Sequence, residues 1–175
     1  MQWYLAALLL PGGIFVLAAV VWNTLGHHAE PLWYLPDTPA YVAAAIVFPF
    51  GEEVGWRGFA LPRLTKSVGP LWASVIIGVV WTFWHVPMLT LQGAPALLYV
   101  ALVPFMVGGS IFFTWIYGHT RGSLLLAVLA HVGAHLNNLG HAMPGRYTPI
   151  VIHAVAYVVL GVVLVVVDGR AWRRA

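Results

Sequence analysis

Residues 67–120 read SVGPLWASVIIGVVWTFWHVPMLTLQGAPALLYVALVPFMVGGSIFFTWIYGHT and contain no Asp, Glu, Lys or Arg. A membrane crossing takes about 20 residues, so this run is too long for one span. The turn-forming sequence Gln92-Gly93-Ala94-Pro95 interrupts it. Because backbone polar groups in hydrocarbon must be bonded within their own segment, the run predicts two transmembrane helices joined by a tight turn.

The rest of the chain has the same character. The 175 residues are 61% hydrophobic and only 7% charged, whereas a soluble domain carries about a quarter charged residues. We therefore expect residues 1–175 to form a single integral membrane domain of the all-α class, a polytopic transmembrane helix bundle of about six spans. The spans are predicted near residues 3–22, 39–64, 69–90, 96–117, 123–139 and 150–167.

The charged residues predict the orientation of this bundle in the cell membrane. Six crossings place both termini and the loops near 63–67 and 118–122 on one side. That side carries Arg63, Lys66, Arg121, Arg170, Arg173 and Arg174, and the other side carries Arg146 alone. The positive-inside rule then predicts cytoplasmic N- and C-termini, with the terminal arginines in contact with anionic membrane lipid. The basic residues are too scattered to follow a phosphate backbone, so we expect no nucleic-acid partner.

Three charged residues interrupt the second predicted span, in the sequence Glu52-Glu53-Val54-Gly55-Trp56-Arg57. A charge at membrane depth costs several kcal/mol, so such residues need a partner or a water-filled cavity and mark a candidate functional site. Glu53 and Arg57 are four residues apart on one helix face, which predicts a salt bridge. Glu52 lies about 100° around the helix and can face a different group.

Histidines occur at helical spacing in two other spans. His85 follows Trp81 by one turn in the third span, and His131 and His135 are one turn apart in the fifth. Three intramembrane histidines beside a diacid favour a catalytic or metal site over simple packing. The other histidines lie near predicted span ends or in loops and are interpreted as interfacial; they are His27, His28, His119, His141 and His153.

Glutamate and histidine in a confined site suit the activation of water for hydrolysis. Alternatively, Glu52, His85, His131 and His135 offer one oxygen and three nitrogens to a divalent metal such as zinc. Val132 stands where the zinc-protease signature HExxH has its glutamate, which argues against that class. The chain has no cysteine and no G-x-S-x-G element, so thiolate or serine nucleophiles are not supported.

These elements resemble those of the CPBP intramembrane proteases, which include CAAX prenyl endopeptidases and bacterial Abi-like bacteriocin-processing and immunity proteins. The resemblance covers about residues 40–165 and lies in three elements, E-E-x-x-x-R at Glu52, Glu53 and Arg57, aromatic-x-x-x-H at Trp81 and His85, and H-x-x-x-N at His131 and His135.

The resemblance implies an endopeptidase that cleaves a membrane-anchored or lipidated, CAAX-like peptide. Glu52 would then activate water with help from His85, while Glu53 and Arg57 orient the site. His131 with His135 would stabilise the oxyanion or hold a metal, so the cofactor is either one divalent metal or none.

The chain departs from the family pattern at two positions. Trp81 replaces a phenylalanine, and His135 replaces an asparagine, although Asn138 follows one turn later. Family members commonly have about eight spans with the diacid on the fourth, so this chain is expected to match the catalytic core without two leading helices. Two alternatives stay open: an immunity or interaction protein that keeps the fold without catalysis, and a metal-ion or proton transporter.

Overall fold

A computed structural model describes residues 1–26, 38–137 and 148–173, and within these ranges the chain forms helices and turns without strands. The predicted all-α fold is confirmed. The described helices are α1 (Gln2–Thr24), α2 (Pro39–Glu53), α3 (Leu61–Val68), α4 (Pro70–Leu91), α5 (Ala96–His119), α6 (Leu124–Leu136) and α7 (Thr148–Val167). A π-helical segment, Val54–Ala60, joins α2 to α3.

The second predicted span is longer and less regular than the sequence predicts. Helix α2, the π-helical segment and α3 follow one another without a break, so helix continues to Val68 and not to residue 64. Pro49 lies inside α2 without ending it. The irregularity comes instead directly after Glu53, where the chain changes to π-helical geometry. Such segments are rare in proteins, and those that occur are often found at functional sites.

Three helices are long and apolar enough to cross a membrane by length and composition, namely α1, α4 and α5. Helix α6 and residues 151–167 of α7 are shorter apolar helices. The predicted turn between the third and fourth spans is confirmed, since α4 ends at Leu91 and α5 begins at Ala96. Gly93 in this turn has φ +66°, a left-handed conformation that glycine adopts without a steric penalty.

Helix α5 is the centre of the packing, because it lies against both α4 and α7. Glycines allow the close approach: a Cβ atom on Gly78 would lie 2.6 Å from the Cα atom of Val107, and one on Gly108 would lie 2.6 Å from the carbonyl oxygen of Tyr157. Helix α6 packs against α1, α2 and α5. Helices α4 and α6, which carry the candidate histidines, therefore both contact α5, and α6 also contacts α2.

One histidine is placed differently from its predicted position. His153, expected at the membrane interface, is buried on α7 with 2% of its surface exposed, and its ring packs against Phe105 and Tyr157. The close contact between α5 and α7 encloses it. Six residues singled out from the sequence lie outside the described ranges; they are His27, His28, Asn138, His141, Arg146 and Arg174.

Candidate active site

Glu53 and Arg57 form the predicted salt bridge. Both side chains are fully buried, and Arg57 Nη1 donates to Glu53 Oε1 at 2.9 Å. Arg57 Nη2 also donates to the backbone carbonyl of Ser110 at 3.0 Å and to its hydroxyl at 3.1 Å. The guanidinium therefore joins the π-helical segment to the middle of α5.

His131 is bound to the same carboxylate oxygen. Its Nδ1 lies 2.8 Å from Glu53 Oε1, and the ring is 2% exposed. Glu53 is paired with Arg57 and so acts as the acceptor, which means that Nδ1 of His131 carries the proton. In the neutral ring the lone pair is then on Nε2. Glu53 thus fixes the ring orientation and the tautomer of His131.

Glu52 is held in a different way from Glu53. Its side chain is only half-buried, and its Oε2 atom accepts a hydrogen bond from the indole Nε1 of Trp81. Within residues 1–26, 38–137 and 148–173, no cation forms an ion pair with Glu52. Of the two adjacent carboxylates, Glu53 is held in a buried ion pair, whereas Glu52 accepts a hydrogen bond from a neutral donor.

His85 is oriented by the backbone of its own helix. Its Nδ1 lies 2.9 Å from the carbonyl oxygen of Trp81. Since a carbonyl oxygen can only accept, Nδ1 carries the proton and Nε2 of the neutral ring presents a lone pair. Neutral His85 can therefore accept a proton at Nε2.

Trp81 brings these groups together. Its indole N–H bonds Glu52, and its ring centroid lies 5.8 Å from that of His85 and 5.0 Å from that of His131. The sequence predicts Trp81 only as the aromatic member of a motif. The signal that could have revealed more is the indole N–H itself, which the phenylalanine of the motif lacks.

His135 belongs to the same cluster. Its ring centroid lies 5.0 Å from that of His131, and its backbone carbonyl accepts the hydroxyl of Tyr41 at 2.8 Å. The second contact fixes the end of α6 against α2. Asn138, the alternative to the missing asparagine, is outside the described residues.

A cavity of about 200 Å³ opens beside the histidines. His85, His131, His135 and Trp81 line one part of it. The other part is apolar and is formed by residues from the end of α4 and the first half of α5, including Met88, Leu89, Leu98, Leu102 and Phe105. This is the combination of an apolar wall and a few polar groups that small-ligand and substrate sites share.

The fit of this site to a metal ion is partial. His85 and His131 each have Nδ1–H bound to an oxygen, which is the arrangement that orients metal-ligating histidines through Nε2. In the part of the chain that the structure describes, however, no three His, Asp or Glu side chains are grouped so that they could hold one ion. The individual donors suit a metal, but the described residues do not form a three-ligand site.

Comparison with known proteins places these residues within one matched region. A family model described as type II CAAX prenyl endopeptidase Rce1-like matches residues 33–137, more than half of the chain, and the match contains all of the candidate site residues. CAAX prenyl protease 2 of Methanococcus maripaludis is 26% identical over 98 residues, which is 49% of this chain and 35% of that protein. The chain thus spans about a third of the length of this curated relative.

Proposed function

Because the chain belongs to the Rce1-like family of type II CAAX prenyl endopeptidases, we propose that it is an intramembrane endopeptidase with Glu52 as the catalytic base. The observation that supports this proposal is that the two adjacent carboxylates have different bonding partners. Glu53 is bound by Arg57 and His131, whereas Glu52 has Trp81 as its one hydrogen-bond partner among the described residues and lies beside two oriented histidines. A carboxylate free of an ion pair can accept a proton from water.

In the first step, Glu52 takes a proton from a water molecule as the water oxygen attacks the carbonyl carbon of the scissile peptide bond. A new carbon–oxygen bond forms, and the carbonyl π electrons move to the oxygen. The tetrahedral oxyanion needs a preplaced donor, which contributes a few kcal/mol to its stabilisation. The family resemblance assigns this role to His131 with His135, and the N–H at Nδ1 of His131 is directed at Glu53.

In the second step, the oxyanion collapses and the carbon–nitrogen bond breaks. The leaving amine nitrogen takes up the proton that Glu52 removed from water, either directly or through Nε2 of His85. The hydrogen bond from His85 Nδ1 to the carbonyl of Trp81 keeps Nε2 available for this transfer. Glu53 and Arg57 stay outside the proton transfers and hold His131 and α5 in place.

The apolar wall of the cavity favours a substrate with a hydrophobic part. Met88, Leu98 and Phe105 offer no hydrogen bonds from their side chains, and the cavity lies among helices that are themselves apolar. A lipidated or membrane-anchored peptide would bury its apolar portion there and present its peptide bond to the histidines. The name of the matched family is consistent with this substrate class.

The test is turnover of a fluorogenic, farnesylated CAAX-type peptide by the purified chain in nanodiscs. Glu52→Gln and His85→Ala should each lower kcat at least about a hundredfold, since general-base catalysis contributes about 10²–10⁴ in rate. His119→Ala is a matched control, because His119 has the same Nδ1 contact to a tryptophan carbonyl but lines a different cavity. If Glu52→Gln turns over like the wild type, the assignment is wrong.

Three further measurements distinguish the alternatives. A stoichiometric metal that is lost in His131→Ala would support the zinc alternative over a glutamate mechanism. Cellular protection that survives Glu52→Gln would favour an immunity or interaction protein, and ion flux into proteoliposomes would favour a transporter.

A further inference from the structure

We propose that Trp81 is the positioning residue of this site, and that its indole N–H aims the carboxylate of Glu52 at the catalytic water. This inference rests on the proposed function, since it concerns the same base. It assigns to Trp81 a polar role that the aromatic position of the motif does not imply.

The contacts of Trp81 single it out. Its indole donates to Glu52 Oε2 from a ring that is 4% exposed, so the donor is buried while the acceptor carboxylate is half-buried. Hydrogen bonds to charged groups contribute more than neutral ones, and a buried donor left without a partner is costly. The bond therefore restrains the carboxylate to one orientation while the second oxygen remains available to water.

The ring is itself held from several sides. The rings of His131 and Phe113 pack against it at centroid distances of 5.0 and 6.1 Å, and the guanidinium carbon of Arg57 lies 5.8 Å from its centroid. Since Arg57 is fixed by Glu53 and Ser110, the indole is supported by the buried ion-pair network. The buried ion-pair network thus holds the indole of Trp81 in place, and the indole in turn orients Glu52.

A phenylalanine at this position could fill the same space but could not donate. Glu52 would then have no hydrogen-bond partner among the described residues and would sample several orientations. When the Glu52 carboxylate is oriented toward the water for only part of the time, kcat falls. Substrate binding in the apolar part of the cavity does not depend on that orientation. The expected signature is a loss in kcat without a change in KM.

The experiment compares three proteins with the wild type: Trp81→Phe, a protein with 3-benzothienylalanine at position 81, and Trp84→Phe. Benzothienylalanine keeps the shape of the indole but replaces N–H by sulfur, so it removes the donor without opening space. Trp84 is on the same helix and 66% exposed, which makes it the matched control. Turnover of the farnesylated peptide and thermal unfolding are measured for each.

We expect kcat to fall about tenfold to a hundredfold at position 81, with KM changed less than about twofold and the Trp84→Phe protein unchanged. If the benzothienylalanine protein has the kcat of the wild type while Glu52→Gln is inactive, the positioning role of Trp81 is wrong. The proposed function is not affected by that result. Full turnover in Glu52→Gln would overturn the proposed function and this inference with it. If Trp81→Phe unfolds, the benzothienylalanine protein decides alone.

Discussion

Arg57 has more partners than a helix-stabilising ion pair requires. The i,i+4 spacing predicts its bond to Glu53, and the structure adds the carbonyl and hydroxyl of Ser110, which is 53 residues away in the chain. Glu53 in turn binds His131, 78 residues away. The sequence could predict the first contact because it lies within one helix, but the others depend on how α5 and α6 are placed.

The burial of this pair predicts a large effect when one partner is removed. Arg57→Ala leaves Glu53 as an uncompensated buried charge and should lower the free energy of unfolding by about 3–5 kcal/mol. Arg63→Ala is the control, because Arg63 is exposed and contacts the ring and the backbone carbonyl of Phe59; its effect should stay below about 1 kcal/mol. Unfolding by SDS titration in detergent micelles measures both. Equal stabilities would contradict a structural role for the Arg57 network.

At the scale of the helices, two similar motifs occupy very different sites. Trp81 and His85 on α4 repeat in Trp115 and His119 on α5, and in both cases the histidine Nδ1 bonds the tryptophan carbonyl and the indole bonds a carboxylate. In the second case the acid is Asp168, which also pairs with Nε2 of His119 at 2.8 Å. Both nitrogens of His119 are therefore engaged, and this cluster ties the C-terminal segment to α5.

The site also depends on how closely α5 approaches its neighbours. Gly108→Ala would place a Cβ atom 2.6 Å from the carbonyl oxygen of Tyr157 in α7, so the helices must separate. We expect a loss of about 1–3 kcal/mol of stability, as for other overpacked interiors. Gly118→Ala on the same helix meets nothing within 4 Å and should be neutral or stabilising by up to about 1 kcal/mol. Thermal unfolding in detergent compares the two, and a destabilised Gly118→Ala with an unaffected Gly108→Ala would contradict this packing.

At the scale of the whole molecule, five of the six Lys and Arg residues that the structure describes lie toward one end of the bundle, and the sixth is the buried Arg57. The ends of α3, α5 and α7 meet around a cavity of about 460 Å³ lined in part by Thr65, Tyr117 and Trp172. Arg63, Lys66, Arg121, Arg170 and Arg173 belong to these ends or follow them directly. The cavity of the candidate active site lies toward the other end, where α4 ends and α5 begins.

The gathered basic residues predict that this end faces the cytoplasm. Because the chain has no cysteine, single substitutions can report one position each. Gln92→Cys, in the turn at the other end, should react with a membrane-impermeant maleimide in intact cells. Ser67→Cys, at the basic end, should react only after permeabilisation. If Ser67→Cys is labelled in intact cells and Gln92→Cys only after permeabilisation, the predicted orientation is wrong. The turn at residue 92 and the candidate cavity near it would then face the cytoplasm.

The sequence by itself determined the helical membrane fold, the turn at residues 92–95 and the Glu53–Arg57 pair. Each follows from apolar length or from the 3.6-residue period within one element, which needs no knowledge of other helices. Only the tertiary structure decided that Trp81 bonds Glu52, that His131 bonds Glu53, and that His85 and not His119 lines the candidate cavity. The period of a helix fixes the angle between its own side chains, whereas contacts between helices depend on their relative rotation and separation. Those are set by packing at positions such as Gly78 and Gly108, where small residues allow the backbones to meet.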